Sequence, residues 1–126
     1  MDKPRERRKR ILIVDDESGV RELLSEGLKA RGYETSTAED GEEALRKTFR
    51  SLPDLILLDV MMPKMDGWGV LEQIRKNEKT QRIPVIMLTA KSETELLFRS
   101  EQQKAVDYFI KPINLQELLT SIGRYI

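Results

Sequence analysis

The fold of this chain is decided by one stretch of its sequence, LILLDVMMPKMDGWGVLEQI, residues 55–74. Its first four residues are all apolar, a run too short for a buried helix and typical of a strand that is covered on both faces of a parallel sheet. Gly67, Val70, Leu71 and Ile74 then recur at helical spacing. The stretch therefore predicts a buried strand, a loop and an amphipathic helix.

The same alternation continues along the chain. Strand-like runs occur at ILIVD (11–15), YETSTA (33–38), PVIMLT (84–89) and VDYFIK (106–111), and the polar second run is typical of an edge strand. Asp40 and Asn114 are predicted N-caps of the second and last helices, Phe49 is placed on the buried face of the second, and a polar, loosely packed helix is expected over 91–104. Five alternations predict an α/β three-layer sandwich with five parallel strands and five helices.

The composition is that of one folded domain, and it excludes several kinds of chemistry. The chain has 126 residues, of which 39% are hydrophobic and 35% charged. The absence of cysteine and histidine excludes disulfides, thiolate nucleophiles, Ser/His/Asp triads and most transition-metal sites. No apolar run approaches the roughly 18 residues of a membrane span, and the start does not form a signal peptide, so we expect a cytoplasmic protein without a membrane partner.

Charge is balanced over the whole chain but not along it. The 22 basic and 22 acidic residues cancel, yet residues 1–10 carry six basic and two acidic side chains, a net charge of +4. A basic arm could contact nucleic acid, but a solvated leader explains it as well, and we favour the leader. We expect a short basic leader over residues 1–9 and a single domain over 10–126.

Polar side chains end the apolar strands. ILIV is followed by Asp15 and Asp16, LILL by Asp59, VIML by Thr89 and DYFI by Lys111. In an open parallel sheet, ligands bind at the carboxyl ends of the strands. We therefore expect these five side chains to lie close together.

This set of side chains predicts phosphoryl chemistry. Crowded carboxylates must hold protons or recruit a cation, and oxygen ligands without histidine or cysteine favour Mg²⁺. A lysine and a hydroxyl complete the requirements of a phosphoryl-transfer site. Asp59, at the end of the buried strand, is the predicted nucleophile, a role that carboxylates take in aspartyl-phosphate chemistry.

Four motifs resemble the receiver domain of the two-component response regulators, including the chemotaxis regulators. They are the acidic pair Asp15-Asp16, DVMMPKMDG at 59–67, LTA at 88–90 and DYFIKP at 107–112. Each motif alone is weak, but all four occur in order, at family-like spacing, and the match covers 9–126. The resemblance implies a flavodoxin-like sheet of strand order 2-1-3-4-5.

The resemblance also implies how the site would bind metal and phosphate. Asp59 would accept a phosphoryl group from a phosphohistidine on a sensor histidine kinase or a histidine phosphotransfer protein. Asp16, Asp59 and the main-chain carbonyl of Met61 would bind Mg²⁺ directly, and Asp15 would act through a water. Lys111 would pair with Asp59 and then with the phosphoryl oxygens.

The remaining implied roles concern a switch. Thr89 would hydrogen-bond the phosphoryl group, and Tyr108 would turn inward as Thr89 moves. The Lys111-Pro112 peptide bond would be cis. The surface of the fourth helix, the fifth strand and the fifth helix would then bind a downstream protein.

The resemblance implies a signalling module, not an enzyme: the domain would catalyse only its own phosphorylation and dephosphorylation. A stand-alone regulator is favoured over a receiver within a longer regulator that has a DNA-binding or enzymatic output domain, and nucleic acid would be a partner only in the second form. A haloacid dehalogenase-type phosphohydrolase is a remote alternative, because it needs a second acid where this chain has Met61. A nucleotide- or flavin-binding module would need a glycine-rich loop where DDESGV stands.

The chain departs from the family pattern before the last strand. Lys104 stands where family members usually have a glycine. The turn must therefore be made by a residue that carries a Cβ, and we expect the preceding helix to end differently.

Overall fold

A computed structural model describes residues 7–90, 102 and 104–126 of the chain. The strands are β1 (Arg10–Val14), β2 (Glu34–Ala38), β3 (Leu55–Asp59), β4 (Val85–Thr89) and β5 (Asp107–Ile110). The helices in the described part of the chain are α1 (Ser18–Ala30), α2 (Gly41–Ser51), α3 (Gly67–Lys76) and α4 (Leu115–Tyr125). The helix predicted over 91–104 lies outside the described residues, which there include only 102 and 104. The fifth predicted helix is α4.

The five strands form one parallel sheet of order β2-β1-β3-β4-β5. This confirms both the predicted α/β sandwich and the strand order implied by the resemblance. Every residue of β3 and β4 is buried, whereas β2 alternates between exposed and half-buried positions until its last residue. The continuous apolar runs are thus central strands, and the polar run is the edge strand, as predicted.

The central strands send alternate side chains into two separate cores. On one face, Leu12, Ile56 and Met87 pack with residues of α2 and α3. On the other face, Ile13 and Leu57 pack with residues of α1 and α4. A run of consecutive apolar residues is needed in each strand because both faces are covered by helices.

Side-chain caps begin three of the four described helices. Asp40 accepts a hydrogen bond from the main-chain N–H of Glu43 at 2.8 Å, and Asn114 accepts one from Glu117 at 3.0 Å, which confirms both predicted caps. Asp66 caps α3 in the same way. The position of Phe49 was wrongly predicted, because its side chain is 41% exposed.

Three further findings on the described residues bear on the sequence-based expectations. Lys104 has a φ of 61°, in the left-handed region, so the turn before β5 is indeed made by a residue with a Cβ. The Lys111-Pro112 peptide bond is cis, as the resemblance implied. None of the helices in the part of the chain that the structure describes is long and apolar enough to cross a membrane.

Candidate functional site

The pairing register of the strands brings the predicted polar residues to one edge of the sheet. β1 and β3 pair in a register that carries Asp15 level with Asp59. β4 and β5 pair at Thr89 and Ile110, so Lys111 lies one position beyond this pair. The main-chain N–H of Lys111 donates to the carbonyl of Thr89 at 2.7 Å and extends the ladder to the site.

Asp15 is the most firmly held residue of the site. It is fully buried, and its main-chain N–H donates to the carbonyl of Ala38 at the end of β2. Its Oδ1 accepts the main-chain N–H of Glu17 at 2.9 Å, and its Oδ2 lies 2.8 Å from the Nζ of Lys111. Its main-chain carbonyl accepts a hydrogen bond from Arg21 at 2.7 Å. Both its backbone and its carboxylate are therefore fixed.

Asp59 ends β3 with its side chain almost completely buried. Its Oδ1 accepts the main-chain N–H of Met61 at 3.3 Å and lies 3.5 Å from the Nζ of Lys111. Burial, and next the negative charge of Asp15, raise the pKa of Asp59 to about 7, with a smaller contribution from Asp16. Lys111 and the Met61 N–H oppose this rise without cancelling it. When Asp59 is ionised, the carboxylates of the site therefore outnumber its one cation, Lys111.

Lys111 supplies the cation that the strand-end pattern predicts. Its Nζ contacts Asp59 as the resemblance implies, but Asp15 is the closer partner, and Glu17 lies at 4.0 Å. Burial by itself lowers the pKa of Lys111, but the hydrogen bond to Asp15 and the surrounding carboxylate charges outweigh burial and raise it. The lysine is therefore an ammonium group at neutral pH.

Three consecutive acids that follow β1 contribute to the site. One carboxylate oxygen from each of Asp15, Asp16 and Glu17 lies within 4.8 Å of the others, and the last two residues are exposed. These hard oxygen donors, with Asp59 beside them and one ammonium group among them, suit Mg²⁺ by their chemistry. Sequence reasoning missed the part of Glu17, although a third acid directly after the pair was a visible signal.

The switch residues lie on neighbouring strands. Thr89 is fully buried at the end of β4. Tyr108 is half-buried on β5, pairs with Met87 in the sheet, and packs against the core on the side of α2 and α3. The side chain of Met61 is 52% exposed, so its contact with the site is through its main chain.

Gly67 is a site residue that the sequence indicated only as the first position of the helical pattern and the last of the motif at 59–67. A Cβ at this position would lie 2.3 Å from the main-chain oxygen of Asp59 and 2.9 Å from the Cα of Val60. The N–H of Gly67 donates to the carbonyl of Val60 at 2.9 Å. The start of α3 thus packs directly on the backbone that carries Asp59, which only glycine allows.

Comparison with known proteins assigns this arrangement to a family. The response regulator receiver domain matches residues 11–123. The chain belongs to this family. As a response regulator receiver domain it is part of two-component signalling, in which receivers interact with histidine kinases, and phosphorylation and Mg²⁺ binding are typical of the family.

Two curated relatives of this receiver are named as transcriptional regulators. It is 42% identical over 113 residues to the "Probable transcriptional regulator ycf27" of Guillardia theta, which covers 90% of this chain and 43% of the relative. It is 38% identical over 113 residues to the "DNA-binding dual master transcriptional regulator RpaA" of Synechocystis sp., which covers 90% and 47%. The chain therefore spans less than half the length of these relatives.

Solved receiver structures match over nearly their whole length. The chemotaxis protein CheY4 of Vibrio cholerae superposes with a TM-score of 0.89 at 32% identity, covering 95% of this chain and all of CheY4. The response regulator TrrA of Thermotoga maritima, solved in complex with Mg(2+)-BeF, gives a TM-score of 0.83 at 43% identity and covers 94% and 99%. These matches agree with the sheet order described above.

Proposed function

We propose that this receiver is a phosphoacceptor in which Asp59 takes a phosphoryl group from a phosphohistidine with the help of Mg²⁺. One observation carries the proposal. Asp59 lies at the carboxyl edge of the sheet, where its burial, and next the charge of Asp15, raise its pKa to about 7, with Lys111 as the nearby cation. A carboxylate in such a place is costly for the fold and useful for phosphoryl transfer.

The proposed transfer needs little covalent chemistry from the protein. A carboxylate oxygen of Asp59 attacks the phosphorus atom, a P–O bond forms, and the P–N bond of the donor breaks. The imidazole leaves with the electron pair of that bond and takes a proton from solvent. Lys111 then pairs with the phosphoryl oxygens, and the hydroxyl of Thr89 donates a hydrogen bond to them.

The proposed metal ligands are Asp16, Asp59 and the main-chain carbonyl of Met61, with Asp15 acting through a water. The surroundings of the acidic pair support a direct role for Asp16 and a water-mediated role for Asp15. Both oxygens of Asp15 already have partners within the protein, whereas Asp16 is exposed. When bound, Mg²⁺ would neutralise part of the negative charge of the carboxylates and of the phosphoryl oxygens.

The proposed output is a change in the surface around β5. Lys111 and Thr89 are joined by a main-chain hydrogen bond, and Tyr108 lies three residues before Lys111, so a phosphoryl group at Asp59 would act on one connected strand end. A downstream protein would bind the surface formed by the helix predicted over 91–104, β5 and α4. The domain would turn over no external substrate.

We also propose the boundaries of the receiver domain and its location in the cell. Residues 10–126 form the receiver and 1–9 the basic leader, since β1 begins at Arg10. A cytoplasmic location is part of the proposal, because the named relatives are regulators of transcription. A stand-alone receiver and a receiver within a longer regulator would use the same switch and differ only in what the switched surface contacts.

The test is the mass of the intact protein after incubation with acetyl phosphate, with and without Mg²⁺. We expect the wild type to gain one phosphoryl group only when Mg²⁺ is present and Asp59→Asn to gain none. Asp66→Asn is the matched control, since it makes the same chemical change in an exposed acid that caps α3, and asparagine caps helices equally well. Equal labelling of Asp59→Asn and the wild type would show that another residue is the acceptor.

A further inference from the structure

The start of α1 lacks the side-chain cap that begins every other helix in the described residues. The three caps are Asp40, Asp66 and Asn114. α1 follows Glu17, whose side chain makes no capping hydrogen bond. The acids that precede α1 belong instead to the candidate Mg²⁺ site, so the connection from β1 to α1 must be held in another way.

Arg21 provides that connection. It lies at the fourth position of α1, and because helical side chains lean toward the helix N-terminus, it reaches back over the first turn. Its Nη1 donates to the main-chain carbonyl of Asp15 at 2.7 Å. A cation close to a helix N-terminus is repelled by the helix dipole. The hydrogen bond from Arg21 to Asp15 must therefore offset this unfavourable interaction.

The contact acts on the peptide unit that joins the two acids of the pair. The N–H of Asp15 is fixed by the carbonyl of Ala38, and its carboxylate by Glu17 and Lys111. The carbonyl of Asp15 belongs to the next peptide plane, which leads into Asp16, and Arg21 is its partner. Rotation of this plane would turn Asp16 away from Asp59.

We propose that Arg21 is a positioning residue for Mg²⁺ binding, which holds the Asp15-Asp16 peptide so that Asp16 faces the same site as Asp59. The inference rests on the proposed function, since it assumes that the acidic site binds Mg²⁺. Arg21 contacts neither the phosphoryl group nor the metal in this scheme. It acts only through the backbone of Asp15.

The sign of the effect separates positioning from simple electrostatics. Arg21 carries a positive charge and contacts the main chain of Asp15, one of the acids of the site, so by Coulomb's law its removal should strengthen the binding of a divalent cation. Loss of positioning should weaken it. The two roles of Arg21 therefore predict opposite changes in Mg²⁺ affinity.

The first measurement is a calorimetric titration of the wild type, Arg21→Met, Arg21→Lys and Arg46→Met with Mg²⁺. Arg46 is an exposed residue of α2, so Arg46→Met is a matched control that removes the same charge. We expect the dissociation constant to rise about tenfold in Arg21→Met, the usual effect of losing a residue that orients a metal ligand. Arg21→Lys should recover part of the affinity, because an ammonium group can still donate to the carbonyl, and Arg46→Met should match the wild type.

The second measurement is made without metal. Amide hydrogen exchange at Asp16 and Glu17 should be faster in Arg21→Met than in the wild type and unchanged in Arg46→Met, while the core amides stay protected. If Arg21→Met does not fold, the same comparisons are made with Arg21→Lys, which should then show weaker Mg²⁺ binding and faster local exchange.

The outcomes distinguish this inference from the function on which it rests. Binding of Mg²⁺ by Arg21→Met as tight as or tighter than that of the wild type would overturn the inference, while the wild type's binding and phosphorylation would leave the proposed function standing. Failure of the wild type itself to bind Mg²⁺ would overturn both.

Discussion

At the scale of single residues, Asp59 lowers the stability of the fold in a position where its carboxylate can serve in the proposed phosphoryl transfer. Its carboxyl is buried beside Asp15, and the resulting rise of its pKa from 3.8 to about 7 measures how unfavourable its negative charge is in the folded protein. Lys111 reduces this cost but is shared with Asp15, its closer partner. A residue selected for stability alone would carry no charge here.

This cost predicts a pH-dependent stability in the metal-free protein. Below about pH 4 Asp59 is protonated in both the folded and unfolded states. As the pH rises toward 7, the unfolded chain ionises while the folded one retains its proton, so the stability from this group is lost as the pH passes through the folded pKa. Asp59→Asn should escape this loss and have a free energy of unfolding higher by on the order of 2–4 kcal/mol at pH 8.

Urea unfolding at a series of pH values in the presence of a chelator measures this difference. Asp66→Asn serves again as the control, because it makes the same chemical change at an exposed position outside the site. A stability difference between Asp59→Asn and the wild type that stays constant from pH 4 to 8 would contradict the prediction.

Sequence reasoning predicted the strand-end residues of the site but not all of their neighbours. Asp15, Asp59 and Lys111 were predictable because the end of a strand in a parallel sheet sets a side chain's position almost by itself. Arg21 and Gly67 were not, because their roles depend on a reach-back over a helix turn and on a close backbone approach. Such contacts depend on how closely two segments of the chain approach each other in the folded protein, and the sequence alone does not give that distance.

At the scale of elements, apolar runs located the strands to within one residue at each end. The run at 84–89 became β4 (Val85–Thr89), and that at 106–111 became β5 (Asp107–Ile110). The faces of α2 were harder to predict, since Phe49 is 41% exposed while Thr48 is fully buried. Helix periodicity gives the angle of a stripe only approximately, and the neighbouring α3 and sheet decide which of two adjacent residues is covered.

The turn that leads into β5 contains backbone strain at Lys104, which a substitution by glycine should relieve. Lys104 adopts a φ of 61°, which costs a residue with a Cβ about 1–2 kcal/mol and glycine almost nothing. Lys104→Gly should therefore raise the free energy of unfolding by about 0.5–1 kcal/mol after the greater flexibility of glycine in the unfolded chain is subtracted. Denaturant unfolding of the two proteins at one pH measures the change.

Lys104→Ala is the control for that experiment, because it removes the same charged side chain and keeps the Cβ. The carbonyl of Lys104, which accepts two hydrogen bonds from Arg75, is present in both variants. If alanine stabilises the protein as much as glycine, the gain comes from the loss of the lysine side chain and not from relief of backbone strain.

At the scale of the whole molecule, the sheet order determines where all of these parts meet. The alternation of strands and helices predicted a parallel sheet, but many strand orders satisfy that alternation, and the order 2-1-3-4-5 came from the resemblance alone. In this order β1 and β3 are central neighbours, which sets Asp15 beside Asp59. Both residues are buried in the folded protein.

Because the site joins the ends of β1, β3 and β5, ligand binding there should stabilise the entire fold. A ligand that binds only the folded protein raises the free energy of unfolding by about 2.7 kcal/mol when its concentration is about 100 times its dissociation constant. We expect Mg²⁺ to raise the midpoint of thermal unfolding of the wild type accordingly, and Asp59→Asn to lose most of this shift although it is the more stable protein without metal. Sodium chloride of equal ionic strength controls for general screening of the acidic residues. An equal shift with sodium chloride, or an undiminished one in Asp59→Asn, would show that Mg²⁺ acts on the protein's charge in general and not through a site that contains Asp59.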